Sequence, residues 1–434
     1  MKRKQLILIL FLLLFYTGSI AQGKLTLSVE EARQYALEFN KTLKNSELSV
    51  LQSQEQLRET IAGGLPQVSA TADYTNAMGA EISIQFDENL PPTKIPIKPT
   101  SNFNLQVGQL IFNANYFIGI QTAKLYKKLS EKSQVNSEID VSSEVTENYY
   151  LVLISEKSLD ILKENVKNLQ DIYAKTKPMV DVGMMEKVEL DQLSVQVGTL
   201  ENAVKSAERQ LEMVINMLRL QLGVSADTGL ELTDSLQGLL HGQEIEGETA
   251  NSFEITANPD YQLMKVQEVL SQKQVLMQKA NYLPTISGYY SFTHKILKPA
   301  FDMSPPHIVG LQMSIPVFSS GERRAKINQA KIDLQTTINN IALLEDQLSI
   351  QFKQLQFNLK SALENYETQK KNIEVSREVY NSLKSKYEQG IISGLELTTA
   401  DNNYLKAESD YLTSVFELLK AQNELHTLLG NIND

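Results

Sequence analysis

The sequence of 434 residues contains no cysteine and no tryptophan. Without cysteine there can be no disulfide, and no thioether-linked lipid at an N-terminal cysteine. Basic residues are in deficit, 41 against 52 acidic ones, and such a balance argues against nucleic acid as a partner. Proline is scarce and unevenly placed: none of the 12 lies between Pro99 and Pro178, and none follows Pro316, so two long stretches are free of helix breakers. Long apolar runs are missing too. The one candidate, Leu6 to Tyr16, has eleven residues, short of the about 20 a membrane-crossing helix needs.

That short run has another use. Lys2, Arg3 and Lys4 precede it and Ser19-Ile20-Ala21 follow it, the layout of an export signal over residues 1–21, cleaved near Ala21. Its removal leaves 38 basic residues against 52 acidic, a balance of −14. If the exported chain enters a membrane it must do so as strands closed into a barrel, because only helices and barrels satisfy the backbone there. The four histidines, His241, His294, His307 and His426, have no metal-ligand spacing. No phosphate loop or nucleophile motif is present. The expectation is no catalytic residue, no metal and no cofactor.

What the sequence does contain is a duplication. "VDVGMMEKVELDQLSVQVGTLENAVK" and "YEQGIISGLELTTADNNYLKAESDYL" share a cadence, with Gly183 and Gly390 both breaking a helical pattern 207 positions apart, as are Gly223 and Gly430. "GGLPQVSATADYT" and "NYLPTISGYYSFT" echo at an offset of 218, from Leu65 to Leu283. The offsets differ because the intervening segments differ in length. The expected organisation is a first repeat over 22–223, a linker over 224–258 read as a loose connection with short elements, and a second repeat over 259–434.

Each repeat holds two candidate strands. Val68, Ala70, Ala72 and Tyr74 alternate with Gln67, Ser69, Thr71 and Asp73; Phe103, Leu105 and Val107 alternate with Asn102, Asn104 and Gln106. In the second repeat Ile286, Gly288, Tyr290 and Phe292 alternate with Thr285, Ser287, Tyr289 and Ser291, and Leu311 to Val317 follow suit. A period of two is the strand signature, and about 10 residues per strand suits an outer membrane. The pairs are expected over 66–112 and 284–318, joined by proline-rich loops (Pro91 to Pro99, Pro299 to Pro306). The aromatics Tyr74, Phe103, Tyr289, Tyr290 and Phe292 suit either an interfacial girdle or ordinary strand packing. A membrane barrel needs at least about 8 strands, so either the chain forms no barrel or several chains share one, and sharing is the better fit.

Between the strand pairs lie helix-forming stretches, 113–177 and 319–386, each of about 65 residues or roughly 100 Å. Ser319 and Glu322 have capping-box spacing at the start of the second. Leu397, Ala400, Tyr404, Ala407, Tyr411, Ser414, Leu418, Ala421, Leu425 and Leu428 follow a 3,4 spacing. Leu190 to Leu218 repeat it, and Phe352, Leu355, Leu359, Ala362, Tyr366, Ile373, Tyr380 and Leu383 answer on the preceding stretch. That spacing is a coiled-coil seam. The expectation is two antiparallel helical hairpins, over 113–222 with a tip near 178–186 and over 319–430 with a tip near 387–394.

Together these features resemble the TolC-like outer membrane efflux family, over essentially the whole exported chain. "YEQGIISGLELTTADNNYLKAESDYL" followed by "LLKAQNELHTLLG" is the most specific block. The resemblance implies a mostly α fold with membrane β: a homotrimer whose four strands per chain form a twelve-stranded barrel, continued by an α-helical barrel in the periplasm. It implies an exit duct for drugs, toxic solutes or polypeptides. Its partners would be outer membrane lipid, a periplasmic adaptor, and an RND or ABC transporter of the inner membrane. It implies that the tips Val182-Gly183-Met184 and Gln389-Gly390-Ile391 dock the adaptor. It also places Glu396, Thr399 and Tyr387 at the periplasmic aperture. Here Thr399 stands where the family has a second aspartate, and Ile392 where it has the arginine that partners the tyrosine. The alternative is a periplasmic coiled-coil adaptor or scaffold without a pore.

Overall fold

The computed structural model describes residues 24–85, 91–241, 253–298 and 304–430. The expected export signal with its cleavage site, and Gly242, Gly247 and Pro299 of the expected loops, lie outside these. The chain divides into two compact units: a helical one (Met1–Glu47, Gln134–Tyr261, Leu344–Asp434) and a strand-bearing one (Leu48–Ser133, Gln262–Leu343).

In the strand-bearing unit, β2 (Gln67–Thr75), β5 (Thr100–Phe112), β7 (Thr285–Leu297) and β8 (His307–Ser314) form one antiparallel sheet in the order β2-β5-β7-β8. Each repeat contributes one outer and one inner strand. The register lines up one apolar face in rows: Val68, Val107, Tyr290 and Val309; Ala70, Leu105, Phe292 and His307; Ala72, Phe103 and His294. The other face is polar, with Thr71, Asn104 and Thr293 in one row and Asp73, Asn102 and Lys295 in the next. It is tied across strands by Asn102 Nδ2 to Asp73 (3.0 Å) and Thr293 Oγ1 to Asn104 Oδ1 (2.7 Å). Tyr289 departs from the other aromatics: it lies on the polar face and covers Gly310, where a Cβ would stand 2.5 Å from its ring. β8 ends at Ser314, short of the expected 318, since Pro316 has no N–H to extend a ladder. The expected loop between β2 and β5 contains a hairpin of its own, β3 (Glu81–Ile84) with β4 (Thr93–Pro96).

In the helical unit β1 (Leu25–Leu27) pairs in parallel with β6 (Leu230–Leu232). In the described part of the expected linker the short elements are β6, a short helix α5 (Leu236–His241) and a 3₁₀ turn (Ile255–Ala257). Three-residue strands carry no periodicity, so only tertiary pairing reveals them. Tyr149 anchors the pair: its buried hydroxyl donates to the Leu27 carbonyl (3.0 Å) and accepts from the Asp234 amide (3.3 Å). Helix α1 (Val29–Phe39) starts with a capping box between Ser28 and Glu31.

Helix α2 (Lys41–Ala62) precedes the first strand pair and α6 (Pro259–Ala280) the second. The first long hairpin is α3 (Ala114–Asp181) with α4 (Lys187–Leu222), and the second is α7 (Glu322–Glu388) with α8 (Gly394–Leu429). At 68 and 67 residues α3 and α7 match the length read from composition. Two boundaries differ. α3 runs through Pro178 to Asp181, because a proline one turn from the end removes a single helical hydrogen bond and need not stop the helix. α7 begins at Glu322 without the expected capping box: the Glu322 amide bonds the Ser319 carbonyl (2.8 Å), and its carboxylate pairs forward with Lys326 (2.6 Å). Along the α7–α8 seam Leu359, Leu397, Leu418 and Leu425 are buried, and Tyr380 stacks on Tyr404 at 5.5 Å.

Candidate functional site

Both hairpin tips are built the same way. At the first, Met184 N–H bonds Met179 C=O (2.8 Å) and Gly183 N–H bonds Val180 C=O (3.0 Å). At the second, Ile391 N–H bonds Lys386 C=O (2.9 Å) and Gly390 N–H bonds Tyr387 C=O (2.9 Å). This pair of bonds is the Schellman ending, which needs a left-handed residue at the glycine position; Gly183 has φ +77° and Gly390 φ +73°. A Cβ added at either would meet nothing within 4 Å. The glycines are required by backbone conformation and not by crowding. Around them Val182, Met184, Gln389 and Ile391 are all exposed, so each tip presents an apolar side chain to its surroundings.

α8 restarts after Ser393, whose Oγ accepts the Glu396 amide (3.3 Å). Glu396 thus sits in the first turn, where the helix dipole favours a carboxylate. Its side chain is exposed, as is that of Thr399, whose hydroxyl returns to the Leu395 carbonyl (2.8 Å). Together with Val379, Leu383 and Lys386 they line an open groove of about 720 Å³ along hairpin 2. The structure brings Glu396 and Thr399 to one face of one hairpin.

Tyr387 lies elsewhere. It is buried, and its hydroxyl meets Thr176 Oγ1 of α3 at 2.9 Å. It ties hairpin 2 to hairpin 1 and does not face the groove. Burial pushes its hydroxyl pKa up, with the Thr176 hydrogen bond acting the other way. Next to it Lys175 Nζ pairs with Glu388 at 2.9 Å; the hydrogen bond raises the lysine and lowers the glutamate. A third tie joins Gln196 of α4 to Asn402 of α8 (2.8 Å). Ile392 packs among Leu169, Leu193 and Leu397, so the position resembling the family's arginine is a packing residue here. Tyr387 thus has a hydroxyl partner on the opposite hairpin. Thr176 gave no sequence signal, because a threonine inside a helical stretch reads as filler.

The larger omission is a second buried stripe on α8. Asp401, Glu408, Leu412, Val415, Leu419 and Gln422 are all buried, on a face distinct from the α7 seam. Val415 and Leu419 pack with Val141, Val145 and Tyr149 of α3. Further along, Lys420 pairs with Glu147, and Asn423 Nδ2 bonds Ser143 Oγ (2.9 Å). This stripe joins hairpin to hairpin. Half of it is polar, so an apolar-periodicity reading passes over it.

Among the described residues no helix is long and apolar enough to cross a membrane, and no group of acidic or histidine side chains could hold a metal. The sequence profile described as Outer membrane efflux protein matches residues 32–224 and 254–431. The chain is similar to the Probable outer membrane lipoprotein SilC of Salmonella typhimurium, 20% identical over 412 residues, covering 91% of this chain and 84% of that one. It is 21% identical over 418 residues to the Cation efflux system protein CusC of Escherichia coli O157:H7, with the same coverages. Its fold is similar to that of the Campylobacter jejuni CmeC outer membrane channel, with a TM-score of 0.73 at 16% identity over 93% of this chain and 85% of that one. The alternative of a poreless periplasmic scaffold is set aside by the profile, whose two matched blocks cover both repeats. The chain belongs to the outer membrane efflux protein family.

Proposed function

We propose that three copies of this chain close one membrane barrel and form the exit duct of a tripartite efflux or type I secretion system. The family is one of channels and not of enzymes. The observation that carries the trimer is the four-stranded sheet, with one apolar and one polar face and, among the described residues, no partner for the outer edges of β2 and β8. Four strands fall short of the about 8 a membrane barrel needs, and an open edge in lipid leaves backbone groups unsatisfied. Three chains bring twelve strands, with the apolar rows against outer membrane lipid and the polar rows lining the lumen.

The helical hairpins extend into the periplasm. Their tips, Val182-Gly183-Met184 and Gln389-Gly390-Ile391, dock the hairpins of a periplasmic adaptor, and an RND or ABC transporter of the inner membrane supplies energy and cargo. Glu396, with Thr399 beside it, rings the aperture, and Tyr387 holds hairpin 2 against hairpin 1. Residues 1–21 direct export. The cargo is a small toxic solute, a drug or a polypeptide. Crosslinking of membrane-extracted protein, with conductance in planar bilayers, tests the duct: a conducting trimer is expected, and a lone subunit or a silent trimer overturns it.

A further inference from the structure

Within one chain the two hairpins meet through α3 and α8. Lys420 pairs with Glu147, Asn423 Nδ2 bonds Ser143 Oγ (2.9 Å), and Thr427 Oγ1 donates to Ser143 Oγ (2.8 Å). The duplication gives each of these residues a counterpart 207 positions away: Ile350 for Ser143, Gln354 for Glu147, Met213 for Lys420 and Leu220 for Thr427. The offset holds for packing along these helices. Val145 and its counterpart Phe352 are both buried, as are Val152 with Leu359 and Leu218 with Leu425. The counterparts of the junction residues therefore stand on the same faces of α7 and α4 as the originals do on α3 and α8.

Those faces are bare. Leu220 is 71% exposed, Ile350 68% and Met213 53%. Two neighbours lengthen the rows: Phe357 lies one heptad beyond Ile350, and Met217 one turn beyond Met213, both exposed. Apolar residues scattered singly on a surface are ordinary, but a row of them marks a contact. Of the counterparts only Gln354, and Asn216 in the place of Asn423, are polar. The ion pair and the hydroxyl-to-hydroxyl bond have been replaced by side chains that can only be packed.

The duplication also says what covers them. In the chain, a flank of the first repeat (α3) is closed by a flank of the second (α8). The bare rows are the remaining flanks, α4 of the first repeat and α7 of the second. The sheet has the same order: β5 of the first repeat pairs with β7 of the second, which leaves β2 of the first and β8 of the second as its outer edges. Each copy thus carries both halves of one further junction. Contacts of that head-to-tail kind close into rings. The change from polar to apolar fits the change of partner. Hairpins of one chain are already tethered, whereas separate chains must offset lost translational and rotational freedom when they associate, and burying apolar surface does so.

We propose that the α4 row of one copy packs on the α7 row of the next, in the register of the internal α8–α3 junction: Leu220 against Ile350, and Met213 against Gln354. The same junction is then built six times around three copies, alternately polar within a chain and apolar between chains. The number of copies rests on the proposed shared barrel; the pairing of the rows rests on the duplication.

The test is disulfide crosslinking of the full-length protein extracted from membranes, which has no native cysteine. The hydroxyls of Ser143 and Thr427 stand 2.8 Å apart, so cysteines at their counterparts come within reach of a disulfide. Leu220→Cys with Ile350→Cys in one chain should give a covalent trimer under copper–phenanthroline that reductant dissolves. Either variant alone should give none, and the two co-expressed on separate chains should give a covalent dimer. Leu220→Cys with Phe357→Cys, shifted by about 10 Å along α7, should link at least tenfold less; equal linking overturns the register. A second measurement needs no oxidant. Met213→Lys and Gln354→Glu should each lower the temperature at which trimers dissociate, and together should recover much of the loss, because they copy the Lys420–Glu147 pair; additive losses overturn the pairing. Links formed only to another protein give the rows to that protein and also overturn it. Trimers that conduct without linking refute the junction and keep the duct, whereas linked trimers that do not conduct refute the duct and keep the junction.

Discussion

Asn40 Nδ2 donates to the Gln221 carbonyl at 2.6 Å, and the second repeat rebuilds the bond as Asn258 Nδ2 to the Leu428 carbonyl at 3.0 Å. Asn258 follows Asn40 by 218 positions and Leu428 follows Gln221 by 207, which are the two offsets of the duplication. Each asparagine is buried, and its Oδ1 also takes a backbone amide of the helix it precedes, Thr42 (2.7 Å) in one repeat and Tyr261 (3.1 Å) in the other. One side chain thus caps the start of a helix and secures the end of the returning one. Asn40→Ala and Asn258→Ala each lose the cap and leave a buried carbonyl unmatched, a cost of about 1–3 kcal/mol. Thermal unfolding followed by circular dichroism should show both variants destabilised to a similar degree. A neutral result at either site would mean that its joint contributes nothing to the fold.

Both offsets are readable in the sequence because glycine turns and leucine seams recur with the fold. The strand faces are readable for the same reason: Val68, Ala70 and Ala72 must face one way once a period of two is kept. The paired joint is not, since a buried asparagine looks like any loop residue until its distant carbonyl is in place. The proposed aperture residues are legible as positions only. Glu396 announces itself by its distance from Gly390, whereas Thr176, the partner of Tyr387, comes from the other repeat and has no local pattern. The hairpin-to-hairpin stripe is hidden because Asp401, Glu408 and Gln422 break its apolar run.

Gly183 and Gly390 test the tips without crowding them. A left-handed conformation costs a residue with a Cβ about 1–2 kcal/mol, and the open space around each glycine adds no clash. Gly183→Ala and Gly390→Ala should leave the trimer assembled, raise amide exchange at the tips and weaken adaptor binding; a bulky substituent should abolish transport. Normal transport by both bulky variants would remove the tips from docking.

Gly310 tests the polar face of the sheet. The Tyr289 ring lies across it on the neighbouring strand, and a Cβ would stand 2.5 Å from the ring carbon Cζ. Gly310→Val therefore has to displace the ring, at about 1–3 kcal/mol. Trimers of this variant should dissociate at lower temperature in a gel-shift assay, and Tyr289→Ala in the same chain should restore part of the loss.

The fastenings beside the tip have different pH responses. Tyr387→Phe removes the bond to Thr176 and should raise the open fraction. The Tyr387 hydroxyl, whose pKa burial raises, stays protonated through the neutral range, so this tie is insensitive to pH there. Glu388 is held below its usual range by Lys175. A lowered carboxylate adds stability above its unfolded value and loses it as pH falls through the folded one. The Lys175–Glu388 tie should therefore weaken in acid. Conductance against pH for Glu388→Gln, compared with the parent, checks this: the acid-side rise should disappear.

Glu396→Gln separates charge from structure at the proposed aperture. The helix start is held by the Glu396 backbone amide on Ser393 Oγ, and that bond survives the substitution. The lost charge–dipole contribution is about 0.3–1 kcal/mol, too small to unfold a 36-residue helix packed along its length. In the proposed trimer the three carboxylates would face one axis, and a ring of negative charge favours cations. Bilayer reversal potentials under a salt gradient should therefore shift toward equal cation and anion permeability in Glu396→Gln, with unit conductance little changed. Thr399→Asp should move the potential the other way, because it adds a second ring one turn further along the same groove face. If Glu396→Gln leaves the potential where it was, Glu396 is an ordinary first-turn charge and the selective ring lies elsewhere in the duct.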